Sequence, residues 1–291
     1  MSHIFWISSY PKSGNTLLRA IISSLFFSKD GNFDFKMLNH TTQFEIRKRL
    51  NIIKKINSSD FLKLGDLKVL SKYWQTLQSK ENMIIEDRFG FVKSHSCLVS
   101  MFNNWFTNEK FTTGYLYVVR DPRDIAISWA KHSGLNIDAS IEFMNNYKSC
   151  IGWSETKSEL PNKIIPKTYL GTWSDHVKSW SENNLDVPKL ILRYEDLVYQ
   201  KENNINKIVN FFKNSYNVKF ENLDLKITNI IKSTDFNNLK NLEKKYGFKE
   251  ANLGNFFRKG EKNQWKYILT NSQIKKIENN FRDFMNKFSY E

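Results

Sequence analysis

The chain has 291 residues, 40% of them hydrophobic and 25% charged, so it is long enough to bury a sizeable core. Its 44 lysines and arginines outnumber 30 acidic residues and give a net charge of +14, which attracts anionic ligands. Two cysteines exclude a disulfide framework, and the strongest apolar helical stretch, residues 17–27, is too short to span a membrane.

The first predicted elements are a strand, a polar loop and a helix. An apolar run from Phe5 leads into Tyr10-Pro11-Lys12-Ser13-Gly14-Asn15-Thr16, and a helical pattern begins at once. The N-terminus of a helix binds phosphate or sulfate, Lys12 adds a full charge, and Gly14 lets a ligand approach the backbone. The loop lacks the spacing of a Walker A motif. A plain turn between strand and helix is the alternative.

A second strand, charged loop and helix follow later in the chain. The strand covers Tyr115–Val119, the loop begins with Arg120 and Asp121, and the helix begins near Pro122, with Ser128 about two turns further along. An arginine and a hydroxyl at the carboxyl edge of a parallel sheet can hold one anion. Equally, Arg120 can pair with Asp121 or Asp124 at the helix start.

Other predicted elements are less directly tied to chemistry. Helices are expected around residues 44–56, near 141–147 and over 202–213, and a strand is expected at 189–194. The run Arg258-Lys259-Gly260 predicts a basic clamp for a phosphate, although a basic surface loop is the commoner meaning of such a run.

The three basic segments, in this order, resemble those of the cytosolic-type sulfotransferases, whose donor is 3′-phosphoadenosine 5′-phosphosulfate (PAPS). The first resembles the family's 5′-phosphosulfate loop, and the second and third resemble its grip on the 3′-phosphate. Smaller matches resemble the catalytic-histidine segment and the adenine contacts. By this resemblance, the donor-binding residues are Lys12, Ser13, Gly14, Asn15, Thr16, Arg120, Ser128, Tyr194, Thr234, Phe236, Arg258, Lys259 and Gly260, and the catalytic residues are His95, Lys12 and Lys93.

The resemblance also implies an architecture. It predicts a single α/β domain over residues 1–291, with a central parallel β-sheet flanked by helices and a P-loop nucleotide-kinase-like fold. It further implies a small-molecule acceptor, a cytoplasmic location, and the product adenosine 3′,5′-bisphosphate (PAP). We expect no targeting segment and no metal. We also expect no nucleic-acid partner, because the lysines are scattered and no recognisable nucleic-acid-binding motif accompanies them.

Some positions depart from the family pattern. Leu17 stands where many members carry a tryptophan against the adenine, and Asn263 and Gln264 replace the usual Gly-Asp. The family's dimerisation motif would fall on Lys266, Thr270, Asn271 and Lys275, and two of its four positions differ. The family's usual dimer is therefore not carried over.

Sulfuryl transfer needs a base for the acceptor proton and positive charge for the leaving phosphate. His95 is the expected base, with Glu86 or Asp87 as the alternative, and Lys12 and Lys93 are the expected cations. A nucleophilic Cys97/His95 pair is less common than a buried, inert cysteine. Two other functions stay open, a nucleotide-dependent kinase with an unusual loop and a bisphosphate-binding protein without turnover.

Overall fold

A computed structural model describes residues 3–83, 88–152, 167–251 and 254–290. The strands are β1 (Ile4–Ser9), β2 (Thr42–Gln43), β3 (Gly90–Ser94), β4 (Ser100–Met101), β5 (Asn104–Trp105), β6 (Thr112–Val119), β7 (Cys150–Ile151), β8 (Thr168–Tyr169) and β9 (Lys189–Arg193). The helices of the amino-terminal half are α1 (Asn15–Phe27), α2 (Arg47–Ile56), α3 (Ser58–Phe61), α4 (Leu67–Ser71), α5 (Trp74–Gln78), α6 (Pro122–Ser133) and α7 (Ile137–Asn145). Those that follow are α8 (Trp173–Ser181), α9 (Tyr194–Tyr199), α10 (Lys201–Tyr216), α11 (Leu223–Ser233), α12 (Phe236–Tyr246), α13 (Trp265–Ile268) and α14 (Asn271–Lys287).

The fold is α/β with a central parallel sheet flanked by helices, which confirms the predicted fold class. Five strands are hydrogen-bonded in the order β2-β3-β1-β6-β9. The central strands β1 and β3 run parallel, with Ile4 opposite Gly90 and Ser8 opposite Ser94. Every residue of β1 and β3 is buried, as expected for parallel strands covered on both faces.

The chain divides into two compact units. The first unit contains Met1–Tyr10, Gln43–Tyr117 and Met144–Lys189, and the second contains Pro11–Thr42, Val118–Phe143 and Leu190–Glu291. Each unit draws on separate parts of the sequence. The expectation of one domain over residues 1–291 stays a prediction.

Aromatic side chains form the core of the first unit. Trp6 is fully buried, and its ring centroid lies 5.3 Å from that of Phe44 and 5.4 Å from that of Phe106. The indole nitrogen of Trp6 donates a hydrogen bond to Thr112 Oγ1 at 3.0 Å, so the one polar atom of this side chain is satisfied inside the core.

The start of α6 in the second unit follows the sequence prediction closely. The Asp121 side chain accepts a hydrogen bond from the Arg123 backbone, Pro122 occupies the first helical position, and Gly134 ends the helix in the left-handed conformation. Arg123 also binds Asp121 through its guanidinium at 2.8 Å, and it donates to the Tyr290 carbonyl at 2.6 Å. This buried group joins the start of α6 to the end of the chain.

Most predicted elements lie where the hydrophobic pattern places them. The helices expected around residues 44–56 and 202–213 correspond to α2 and α10, and the strand expected at 189–194 corresponds to β9. The helix expected near 141–147 begins earlier, at Ile137, and ends at Asn145. Thr270, one position of the dimerisation motif, forms a capping box with Gln273 at the start of α14. Across the described ranges, no helix is long and apolar enough to cross a membrane.

Replacing Asp121 with alanine should destabilise the protein more than the loss of a helix cap alone. It removes the cap of α6 and also leaves the guanidinium of Arg123 buried without this carboxylate. We expect the free energy of unfolding to fall by about 3 kcal/mol, measured by urea denaturation.

Asp235→Ala is the matched control for this change. Asp235 caps α12 in the same way but is exposed, so its loss should cost only about 1 kcal/mol. Equal losses in the two variants would contradict a stabilising role for the Asp121–Arg123 pair.

Candidate active site

The loop between β1 and α1 turns sharply to begin the helix. Lys12 and Gly14 both have positive φ, at 68° and 99°. Gly14 occupies the N-cap position of α1, where no side chain caps the helix and the first turn carries no acidic residue. The partial positive charge at this helix start is therefore not countered by a carboxylate from the first turn of α1 itself, which favours an anion site.

Gly14 has a second structural reason to be glycine. A Cβ at this position would lie 2.3 Å from the ring of Tyr194, which is far inside van der Waals contact. The ring of Tyr194 therefore packs directly on the backbone of the loop. This contact places the strand-end tyrosine, which the resemblance assigns to the adenine, against the predicted phosphosulfate loop.

Arg120 is directed to the loop and not to the acidic residues beside it. Its Nη1 donates to the carbonyl oxygen of Lys12 at 3.0 Å, and its guanidinium carbon lies 4.3 Å from the centroid of the Tyr194 ring. Asp121 instead pairs with Arg123, and the carboxylate of Asp124 accepts backbone hydrogen bonds from residues 263 and 265. Among the described residues, no hydrogen bond or ion pair joins Arg120 to Asp121 or Asp124, the alternative from sequence, although the charge of Arg120 opposes the rise that burial causes in the pKa of Asp124.

Two buried polar atoms in this region lack a hydrogen-bond partner within the described part of the chain. They are Ser13 Oγ and Arg120 Nε. Ser13 is fully buried and Arg120 is 7% exposed. Buried polar groups of a folded protein are normally paired, so a ligand whose oxygens accept from each of these two donors would complete this site. The residues present therefore fit a bound phosphate or sulfate.

Four cations of the second unit interact electrostatically: Arg120 just before α6, Lys131 in the last turn of α6, and Arg258 and Lys259. Burial lowers the pKa of Arg258, and the charge of Arg120 lowers it further. Burial also lowers the pKa of Lys131, and Arg258 and Lys259 add to that effect. Ser128 lies one helical turn before Lys131 on α6. Mutual repulsion of this kind indicates a site suited to a multiply charged anion.

Lys131 was missed by the sequence analysis. Its spacing of three residues from Ser128 on a predicted helix was a usable signal, because residues three apart share one helix face.

The residues expected at the adenine lie in the second unit with the cations. Gly260 has a φ of 67°, and a Cβ there would lie 2.2 Å from the ring of Phe236. Thr234 is almost fully buried, and its hydroxyl donates to the Ile230 carbonyl at 2.7 Å. Lys201 donates to the Thr234 carbonyl at 2.9 Å. The predicted grouping of Tyr194, Thr234, Phe236 and Gly260 thus lies within one compact unit.

The side chains of Lys12 and Thr16 contact a segment that sequence reasoning did not connect to the loop. Lys12 Nζ lies 4.1 Å from the centroid of the Phe256 ring, and Thr16 Oγ1 donates to Glu250 at 3.4 Å. Glu250 also forms an ion pair with Arg19 of α1 at 2.5 Å. Glu250 and Phe256 therefore contact side chains of the loop and of the first turn of α1.

His95 lies directly after β3 in the first unit. Because β1 and β3 are parallel neighbours, their carboxyl ends bring Ser9 and His95 together, and His95 Nδ1 lies 2.7 Å from the Ser9 carbonyl oxygen. A carbonyl oxygen only accepts, so Nδ1 carries the proton. In the neutral ring the lone pair is then on Nε2, which is the tautomer that a general base at Nε2 requires.

Helix α8 holds the backbone that follows His95. His176 Nε2 donates to the His95 carbonyl at 2.9 Å, and Trp180 Nε1 donates to the Ser96 carbonyl at 2.9 Å. The Leu98 backbone donates to Ser179 Oγ at 3.0 Å. The spacing of Trp173, His176 and Trp180 predicts a buried helix face, but a histidine there is normally structural, so sequence alone gave no functional signal.

Cys97 is an inert thiol. It is 1% exposed, and burial raises its pKa to about 12. The nucleophilic Cys97/His95 pair is therefore disfavoured, because the thiolate is the reactive form. Glu86 and Asp87, the alternative bases, lie outside the described residues.

Gly14→Ala should weaken the binding of adenosine 3′,5′-bisphosphate, the ligand that the resemblance implies. The new Cβ would displace the Tyr194 ring and would also be strained at a φ of 99°. Calorimetric titration should show at least a tenfold loss of affinity, since each factor of ten is about 1.4 kcal/mol.

Gly247→Ala provides the matched control for Gly14→Ala. Gly247 also has a positive φ, but a Cβ there meets nothing within 4 Å. It should lose some stability and keep its affinity. Equal loss of affinity in both variants would show that backbone strain alone, and not the Tyr194 contact, is responsible.

The buried His176 should make the protein less stable in acid. Burial lowers its pKa to about 4, whereas the unfolded chain takes up this proton near its ordinary value of about 6.5. The contribution of neutral His176 to the free energy of unfolding is therefore fully present above about pH 6.5. About 3 kcal/mol of it is lost as the pH falls towards 4. Urea denaturation across this range should show a shallower decline in His176→Gln, and parallel curves would contradict the assignment.

Comparison with known proteins gives one consistent family. A family model for the sulfotransferase domain matches residues 3–289. An amine sulfotransferase of Oryctolagus cuniculus is 26% identical over 183 residues, which cover 60% of this chain and 54% of the relative. Sulfotransferase 1B1 of Mus musculus is 25% identical over 283 residues, which cover 94% of this chain and 79% of the relative. The match therefore spans about half the length of the first relative and most of the second.

Solved structures agree on the fold. A mouse sulfotransferase complexed with PAP aligns with 98% of this chain and 84% of its own, at a TM-score of 0.55 and 21% identity. Retinol dehydratase in complex with androsterone and PAP aligns with 97% of this chain and 80% of its own, at a TM-score of 0.59 and 18% identity. These likenesses confirm the P-loop-like fold. Because the domain model covers nearly the whole sequence, the chain belongs to the sulfotransferase family.

Proposed function

We propose that this protein transfers a sulfuryl group from PAPS to a hydroxyl or amine of a small-molecule acceptor. The observation that carries this proposal is the loop at Lys12–Gly14, which opens onto an uncapped helix start and holds Arg120 on its backbone. The family match supports the same reaction class.

The donor would be held by three groups of residues in the second unit. The loop and first turn of α1 would take the 5′-phosphosulfate through Lys12, Ser13, Gly14, Asn15 and Thr16. Arg120, Ser128, Arg258 and Lys259 would hold the 3′-phosphate, with Lys131 as a further nearby cation. Tyr194, Thr234, Phe236 and the backbone at Gly260 would hold the adenine. The four cations support this assignment because their charges repel one another until an anion binds.

The reaction needs one proton transfer and one substitution at sulfur. His95 Nε2 would take the acceptor proton while the acceptor oxygen or nitrogen forms its bond to sulfur. The bond from sulfur to the 5′-phosphate oxygen breaks, and that oxygen leaves with the electron pair as part of PAP. Lys12 would neutralise the charge that develops there, and Lys93 would assist at the sulfuryl oxygens. The hydrogen bond from His95 Nδ1 to the Ser9 carbonyl supports the base role, since it fixes the required tautomer.

The acceptor class and cellular location follow from the family alone. The relatives' names include an amine sulfotransferase and a flavonol sulfotransferase-like protein, and these names support a small amine or hydroxyl compound as the acceptor. We propose an acceptor of one of these two kinds and a cytoplasmic enzyme.

Two other functions make different predictions about ligands. A nucleotide-dependent kinase would require Mg²⁺ with its nucleotide, and a binding protein would hold the bisphosphate without turnover. Among the described residues, no group of histidine, cysteine or acidic side chains is arranged to hold a metal ion. The loop sequence also lacks the Walker A spacing.

Calorimetric titration separates these possibilities. The protein should bind PAP at micromolar concentrations without metal and more tightly than ATP with Mg²⁺. Preference for Mg-ATP would favour the kinase and overturn the proposal. A panel of simple phenols, alcohols and amines with radiolabelled PAPS then separates an enzyme from a binding protein, since only the enzyme forms labelled product.

The same titration tests the 3′-phosphate site through Arg120→Ala. Adenosine 5′-phosphate is PAP without its 3′-phosphate. The gap is the ratio of the affinity for PAP to the affinity for adenosine 5′-phosphate, and Arg120→Ala should lower this ratio by about 10- to 100-fold. Lys240→Ala, which removes an exposed lysine of the same unit, should leave the gap unchanged. An unchanged gap in Arg120→Ala would show that another residue reads the 3′-phosphate.

A further inference from the structure

A buried carboxyl group lies beside the segment that carries His95. Glu45 is 6% exposed, and its Oε1 accepts hydrogen bonds from Ser94 Oγ at 2.5 Å and from Ser96 Oγ at 2.8 Å. These two serines flank His95 on either side. One carboxylate oxygen thus holds both neighbours of the proposed base.

The backbone fixes Glu45 at this point. The Phe44 backbone donates to the Lys93 carbonyl at 2.8 Å, which pairs the chain around Glu45 with the end of β3. The Ser96 backbone donates to Ser94 Oγ at 2.9 Å, so the serines are also tied to each other. Ser94 is fully buried and Ser96 is 3% exposed. This part of the first unit is therefore a closed hydrogen-bonded network around residues 93–96.

Neighbouring groups only partly offset the effect of burial on the Glu45 carboxyl group. Burial raises the pKa of Glu45, and the hydrogen bonds from Ser94 and Ser96 and the charge of Lys93 oppose that rise. Burial lowers the pKa of Arg49, and the charge of Glu45 opposes that fall. Glu45 thus interacts electrically with Lys93, which the resemblance places in catalysis, and with Arg49.

The adjacent cavity is too small for an acceptor. It is lined by Glu45, Arg49, Trp74 and Ser96 among others, and its volume is about 10 Å³. That volume holds roughly one water molecule. The polar groups around Glu45 are therefore not explained as a substrate pocket.

A buried carboxylate is energetically unfavourable compared with an apolar side chain of similar size. Burying a charge costs several kcal/mol, and apolar residues of similar size are often as stabilising or more so. A carboxylate in this position offers what an apolar side chain cannot, which is an acceptor for two hydroxyl groups at once.

We propose that Glu45 is a positioning residue for the catalytic segment. It holds the hydroxyls of Ser94 and Ser96 and thereby keeps the His95 ring on the Ser9 carbonyl, with the proton on Nδ1. This inference rests on the proposed function for the importance of His95, whereas the positioning itself is measurable without turnover.

The test measures the His95 tautomer by NMR of ring-labelled histidine in the full-length protein. His95 signals are assigned by comparison with His95→Asn. Wild-type protein at neutral pH should show a protonated Nδ1 and an unprotonated Nε2. Glu45→Ala should lose this pattern and show exchange between both tautomers. Glu45→Gln keeps an acceptor oxygen for the serines and should restore the wild-type pattern.

Two further variants keep the test decisive if Glu45→Ala does not fold. Ser96→Ala removes one of the two hydroxyls and should weaken the tautomer preference in part. Gln78→Ala is the matched control, because Gln78 is a fully buried polar residue of the same unit that bonds Trp74, Phe106 and Thr107 but not the 93–96 segment. Gln78→Ala should lower the stability of the protein and leave His95 with its proton on Nδ1.

The outcomes separate this inference from the proposed function. An unchanged His95 tautomer in Glu45→Ala and Ser96→Ala would overturn the positioning role, whatever PAP binding shows. If Gln78→Ala also lost the preference for one His95 tautomer, the positioning role would be overturned, since general destabilisation would then explain the effect. If Glu45→Ala lost the preference for one His95 tautomer while the wild-type protein did not bind PAP, the positioning role would be supported and the proposed function rejected.

Discussion

The packing of the Tyr194 ring on the backbone of Gly14 is the contact on which the donor side of this protein depends. It requires a residue without a Cβ, and the left-handed conformation at the same position turns the chain into α1. The guanidinium of Arg120 contacts the same arrangement, since it lies near the Tyr194 ring and donates to the Lys12 carbonyl. Loop, tyrosine and arginine thus hold one another through contacts within the protein, and positioning of this kind lowers the cost of ordering side chains on binding.

The catalytic side is organised differently, through hydrogen bonds to the backbone around His95. His176 and Trp180 donate to consecutive carbonyls, and Glu45 accepts from the side chains on both sides of the histidine. The parallel pairing of β1 and β3 supplies the Ser9 carbonyl for the ring itself. An imidazole that must take a proton at one nitrogen benefits from having the other nitrogen fixed, because the wrong tautomer cannot act as the base.

Several features of the fold could be predicted because they depend on local sequence. The buried strands β1 and β6 each contain a continuous apolar run, and the start of α6 carries its capping aspartate and proline in sequence. The role of Arg120 could not be settled in this way, because its acidic neighbours in sequence were equally plausible partners. In the structure Asp121 pairs with Arg123 instead, and the same guanidinium donates to the carbonyl of Tyr290, which lies 167 residues away in sequence.

The sequence by itself determined the strand, loop and helix order, the basic loop residues and the resemblance to the sulfotransferases, because each is a short contiguous pattern. Tertiary structure alone decided which distant groups support them. Glu45 lies 50 residues before His95 and His176 lies 81 residues after it, and nothing in either local sequence marks a partner. Such pairings arise only when parallel strands and a packed helix bring separate parts of the chain together, since hydrogen bonds depend on distance in space and not on separation in sequence.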